Sequence, residues 1–132
     1  MKSPVHNILV VDDDKHIRQL FLKIIAMCLP DTRVDAASNG KEAVTMFRDL
    51  NYQIIVMDVV MPVMDGEQAF REIQKFCTEH KKNMPSVIFC TGYEMPDNIT
   101  RLAKTDKKHC IVNKPVINDS FVDIIKQKLA AE

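Results

Sequence analysis

Five short runs of mostly β-branched and apolar residues, at 8–11, 33–36, 54–57, 87–90 and 110–112, alternate along the chain with stretches of helical periodicity. No other feature constrains the fold as much. Strands separated by helix-length crossovers pair in parallel, and a parallel sheet hides both faces under helices. The runs are accordingly almost wholly apolar, except 33–36, which is short and half polar. The expected class is α/β: a doubly wound, five-stranded parallel sheet with helices on both faces.

The helical stretches carry their own pattern. Ile17, Leu20, Phe21, Ile24, Ile25 and Cys28 form one apolar stripe that Pro30 ends. A second helix is expected after Asn39-Gly40 with Ala43, Val44 and Phe47 inward. A third spans about 67–80 with Ala69, Phe70, Ile73, Phe76 and Cys77 inward. The fourth, within 97–107, has only Ile99, Leu102 and Ala103 as anchors. The fifth starts near an Asp119 or Ser120 cap and presents Phe121, Val122, Ile124, Ile125 and Leu129.

At 132 residues the chain fits one domain, core about 6–130, and no linker or low-complexity tract divides it. Eighteen basic residues balance eighteen acidic ones, so the net positive field used for nucleic acid or anionic membranes is lacking, and no direct nucleic-acid or membrane partner is expected. The opening MKSPVHNILVV turns polar at Asp12, too soon for a signal-peptide core or a membrane span, which leads to a cytoplasmic expectation. Cys28, Cys77, Cys90 and Cys110 form no metal-ligand pattern and are expected as small buried hydrophobes. The histidines at 6, 16, 80 and 109 are scattered and expected at the surface.

In a doubly wound sheet ligands bind beyond the carboxyl ends of the strands. Those ends carry Asp12-Asp13-Asp14, Asp58, Thr91 and Lys114. Taken singly, these could be a helix cap, a turn former and a surface charge. Together they gather carboxylates, a hydroxyl and an ammonium on one edge. Clustered carboxylates repel unless a hard cation compensates them, and Mg2+ accepts such oxygen ligands while keeping waters. A lysine and a hydroxyl beside them suit a phosphoryl group, with a carboxylate as the nucleophile. The three glycines, at 40, 66 and 92, make no nucleotide-cradling loop.

The segments ILVVDDD at 8–14, MDVVMPVMDG at 57–66, CTG at 90–92 and NKP at 113–115 resemble the successive signatures of response-regulator receiver domains, and the likeness covers essentially the whole chain. The resemblance implies strand order 2-1-3-4-5 and a phosphoacceptor role in two-component or phosphorelay signalling. It makes Asp58 the acceptor and Asp12, Asp13, Asp58 and the backbone carbonyl of Val60 the Mg2+ ligands. Thr91 and Lys114 become the phosphoryl contacts, a cis Lys114-Pro115 bond aims the lysine, and Gly92 leaves room for the donor. The implied partners are a sensor histidine kinase or histidine phosphotransfer protein, and a downstream protein or output domain outside this chain. Such a domain is a regulatory phosphoacceptor, not an enzyme in its own right.

The chain departs from the family where many receivers place Tyr or Phe three residues before the lysine; Ile111 stands there and excludes an aromatic rotamer switch. Tyr93 is a candidate shield over the site. The face of the fourth helix, last strand and fifth helix, basic through Arg101, Lys104, Lys107 and Lys108, is the expected partner surface. Two other readings are a haloacid dehalogenase-like phosphohydrolase built on Asp12 and Asp14, and a pseudo-receiver that binds partners without phosphorylation. The first leaves Asp58 and the M-P-x-M-D-G run without a role; the second leaves the full site unexplained.

Overall fold

The computed structural model describes residues 6–61, 63–92, 95–113 and 119–130. Strands β1 (His6–Val11), β2 (Thr32–Ala37), β3 (Ile54–Asp58), β4 (Ser86–Thr91) and β5 (Cys110–Asn113) form one sheet in the order β2-β1-β3-β4-β5. Every pairing is parallel. The helices are α1 (Lys15–Cys28), α2 (Gly40–Asp49), α3 (Gly66–Glu79), α4 (Asp97–Ala103) and α5 (Asp119–Ala130). Fold class and strand order are as expected.

Because successive strand side chains face opposite ways, the same strands feed two cores. Leu9, Val11, Ile55, Met57, Val87 and Phe89 pack with α2, α3 and α4, through Phe47, Phe70, Ile73 and Leu102. Ile8, Val10, Ile54, Val56, Ile88 and Cys90 pack on the other face against Phe21 and Ile25 of α1 and Phe121 and Ile125 of α5. The expected helical stripes face the sheet, with Phe21, Ile25, Phe47, Phe70, Ile73, Phe121 and Ile125 buried and Ile17, Leu20, Ile24, Phe76, Ile124 and Leu129 half covered at the margins.

Local chemistry sets the ends. Asn39 Oδ1 accepts from the Glu42 N–H at 2.8 Å to open α2. Asp65 and Gln68 make a reciprocal capping box that opens α3. Pro96 gives α4 no side-chain cap, and the helix occupies only the first part of the window its anchors allowed. The turn at α5's start lies outside the described residues, and with it the expected Asp119 or Ser120 cap.

Two expectations are corrected. Cys28 ends α1 on the exposed side rather than in the core. His109 is buried, not at the surface: it is 7% exposed, its Nδ1 accepts the Val87 N–H at 3.0 Å, and its ring stands edge-on to Phe70 with centroids 5.1 Å apart. A lone histidine before a strand carries no periodic signal, so nothing in the sequence marked it.

Burial lowers the His109 pKa from 6.5 to about 4. The unfolded chain takes up this proton near pH 6.5 and the folded chain only near pH 4. The stabilisation is therefore complete above pH 6.5 and is lost as pH falls through this window. The full shift corresponds to ~3 kcal/mol, reduced to ~2 kcal/mol by residual solvent screening. Urea unfolding across this range is expected to show that slope in wild type, with most of it gone in His109→Asn, which keeps an acceptor but cannot titrate.

Candidate functional site

All five strands point their carboxyl ends to one edge, and the site residues lie there. Asp12 directly follows β1, its N–H donating to the Ala37 carbonyl at 3.2 Å, so the end of β2 fixes its position. Asp58 is the last residue of β3, pairs in register with Cys90, and is 8% exposed. Thr91 is the last residue of β4, buried, and opposite Asn113. Asp13 is exposed beside Asp12. One carboxylate oxygen each from Asp12, Asp13 and Asp58 lie within 4.8 Å of one another.

Asp14, the third aspartate of the run, does a different job. Its Oδ1 accepts from the N–H groups of His16 at 2.8 Å and Ile17 at 3.3 Å, which caps α1. Its own N–H donates to Asp12 Oδ1 at 2.9 Å, so the cap also orients a site carboxylate. Arg18, which sequence reasoning missed, donates from Nη1 to the Asp12 carbonyl at 2.8 Å. Its place one turn into α1 gave no signal, because the target is backbone.

The loop between β3 and α3 is held by backbone. Val59 N–H donates to the Cys90 carbonyl at 3.2 Å, Gly66 N–H to the Val59 carbonyl at 3.0 Å, and Gly40 N–H to the Met64 carbonyl at 3.1 Å. Val60 follows two residues after Asp58 with its side chain in solvent. Val63 is 76% exposed and adopts φ 70°, a left-handed conformation that costs a β-branched residue. Val63→Gly is expected to stabilise the fold by about 1 kcal/mol, read as a higher urea midpoint at unchanged slope.

Gly92 is exposed, and a Cβ built on it meets nothing within 4 Å, so space beside Thr91 is open. Ile111 is half-buried and packs on the core under α4. Lys114, the Lys114-Pro115 bond and Tyr93 lie outside the described residues.

The three convergent oxygens suit a hard divalent cation: all donors are carboxylate, and the exposed flank at Asp13 leaves room for water ligands. Removing one donor weakens such a site. Asp13→Ala is expected to lower Mg2+ affinity by about tenfold or more in a calorimetric titration; an unchanged affinity would remove Asp13 from the ligand set.

No described helix is long and apolar enough to cross a membrane. The family described as response regulator receiver domain matches residues 8–126. The chemotaxis protein CheY of Halobacterium salinarum is 31% identical over 124 residues, covering 94% of this chain and 97% of that protein. A protein-glutamate methylesterase/protein-glutamine glutaminase of Aliivibrio fischeri is 46% identical over 70 residues, covering 53% of this chain but 19% of that protein, so the match spans only a small part of that relative's length. Among solved structures, the response regulator TrrA of Thermotoga maritima in complex with Mg(2+)-BeF aligns with TM-score 0.73 at 26% identity, covering 94% of this chain and 99% of that one. Motif order, strand order and a match that runs through every strand agree, and the chain belongs to the response regulator receiver domain family.

Proposed function

We propose that the chain works as a single receiver unit that accepts a phosphoryl group on Asp58 from a phosphohistidine, with Mg2+ held by Asp12, Asp13, Asp58 and the Val60 carbonyl. The observation that carries this reading is the approach of the Asp12, Asp13 and Asp58 oxygens to within 4.8 Å, on the edge that Thr91 also reaches. The Thermotoga relative solved with Mg(2+)-BeF supports the same chemistry.

When bound, Mg2+ supplies the positive charge that lets a phosphoryl group approach three carboxylates. The protein's own groups do the rest. An Asp58 oxygen forms the new bond to phosphorus as the bond to the donor imidazole nitrogen breaks, leaving an acyl phosphate and a neutral imidazole once a proton is taken up. The Thr91 hydroxyl donates to one phosphoryl oxygen, and the Lys114 ammonium pairs with another. The added charge then biases a two-state equilibrium through these contacts. In this reading the domain is regulatory and cytoplasmic. It takes its signal from a sensor histidine kinase or histidine phosphotransfer protein and passes it to a downstream protein or output domain.

The phosphohydrolase alternative needs Asp14 at the reacting centre. Asp14 caps α1, which weighs against it. The test is incubation with acetyl phosphate, with Mg2+ and after chelation, followed by intact mass. A single Mg2+-dependent phosphoryl adduct, released by hydroxylamine as acyl phosphates are, is the expected result. No adduct, or one that resists hydroxylamine, overturns the proposal.

A further inference from the structure

The opposite edge of the sheet, at the amino ends of β4 and β5, holds a second feature with no part in this chemistry. A cavity of about 610 Å³ opens there between β5 and α5, within the size range of small-molecule sites. Its walls bring together the ammonium-bearing Lys107, Lys108 and Lys128, and its apolar floor is Cys110, Ile111 and Ile124. Among the described residues no carboxylate lines it. Asp106, in the same turn, is engaged instead by the Lys108 backbone N–H at 3.1 Å.

The lining combines cations, an apolar floor and a hydroxyl-bearing residue in one concavity. The close ion pairs among the described residues all use arginine, Lys108 Nζ is fixed by the Met84 carbonyl at 2.5 Å, and Asp106, outside the lining, acts on Lys108 and Lys128 only through space. Independently, Ser86, at the amino end of β4 and 3% exposed, brings a hydroxyl-bearing residue into the lining. An adjoining cleft of about 330 Å³, which shares Asn83, adds Lys81 and Lys82 to the same pole.

We propose that this cavity binds a small organic anion, with a carboxylate or phosphate head between Lys107 and Lys128, a hydrogen bond from Ser86, and an apolar body on Cys110, Ile111 and Ile124. Burial of the body and a charge-assisted pair at the head favour such a molecule over a bare ion or a neutral analogue.

The test follows amide shifts of the whole chain, without Mg2+, during titration with benzoate, phenyl phosphate, benzyl alcohol and inorganic phosphate. Saturable shifts of Ser86, Cys110 and Gln127 with benzoate or phenyl phosphate are expected, and whichever binds more tightly identifies the head group. Benzyl alcohol and inorganic phosphate should bind at least about fivefold more weakly. The double variant Lys107→Ala/Lys128→Ala should lose about tenfold or more in affinity for the anions, with its spectrum otherwise that of a folded chain. The proposal is overturned by equal binding of benzyl alcohol, by unchanged affinity in the double variant, or by shifts confined to Asp12 and Asp58.

Discussion

Asp58→Asn is expected to abolish the phosphoryl adduct while leaving the domain folded. A carboxamide keeps the shape of the carboxylate and removes its charge, so repulsion with Asp12 and Asp13 falls and stability holds or rises slightly. It cannot form an acyl phosphate. The loss of labelling by acetyl phosphate should be at least about a thousandfold, the scale seen when a nucleophile is removed. Asp58→Ala should match it. Asp13→Ala differs in kind, since it keeps the nucleophile and is partly rescued by excess Mg2+. An adduct on Asp58→Asn that maps to Asp12 or Asp13 would move the acceptor to that residue.

Gly66→Ala is expected to cost about 3 kcal/mol, the upper part of the range for overpacking. A Cβ at Gly66 would lie 2.7 Å from the Asp58 carbonyl oxygen and 3.2 Å from Val59 Cα, both backbone atoms that cannot rotate away. The chain must shift either the end of β3 or the first turn of α3, and Asp58 sits on the first of these. Slower labelling should therefore accompany the lower urea midpoint. Gly92→Ala is the matched control, because nothing lies within 4 Å of its Cβ; its stability should stay close to wild type. A Gly66→Ala protein within about 0.5 kcal/mol of wild type, inside the range of ordinary surface changes, would contradict the packing argument.

The sheet and its order were legible because the bodies of strands buried on both faces are apolar, as at 54–57 and 87–90. β2 read more weakly because it is an edge strand whose polar Asp35 is satisfied from outside, by Tyr52 Oη donating at 2.6 Å. The three-aspartate run showed that carboxylates gather after β1, but not how they divide. Asp14 differs from its neighbours only in the backbone N–H groups it faces, and composition cannot express that. Arg18 and His109 were missed for a related reason, since the hydrogen bond that places each of them is to main chain. The M-D-G sequence at 64–66 was read as family likeness alone. The structure gives it physical content, a carbonyl that receives Gly40 N–H, a capping box and a close approach to Asp58.

Parallel topology has one more consequence. Each strand runs toward the carboxylate edge and each following helix runs back, so α1 and α3 begin where β1 and β3 end. The amino termini of these helices, positive in dipole, thus lie at the edge that collects Asp12, Asp13 and Asp58. This background is part of the main chain, so neither chelation nor side-chain substitution removes it. The domain without Mg2+ should accordingly stay folded around its acidic edge, ready for a cation to enter without reorganisation.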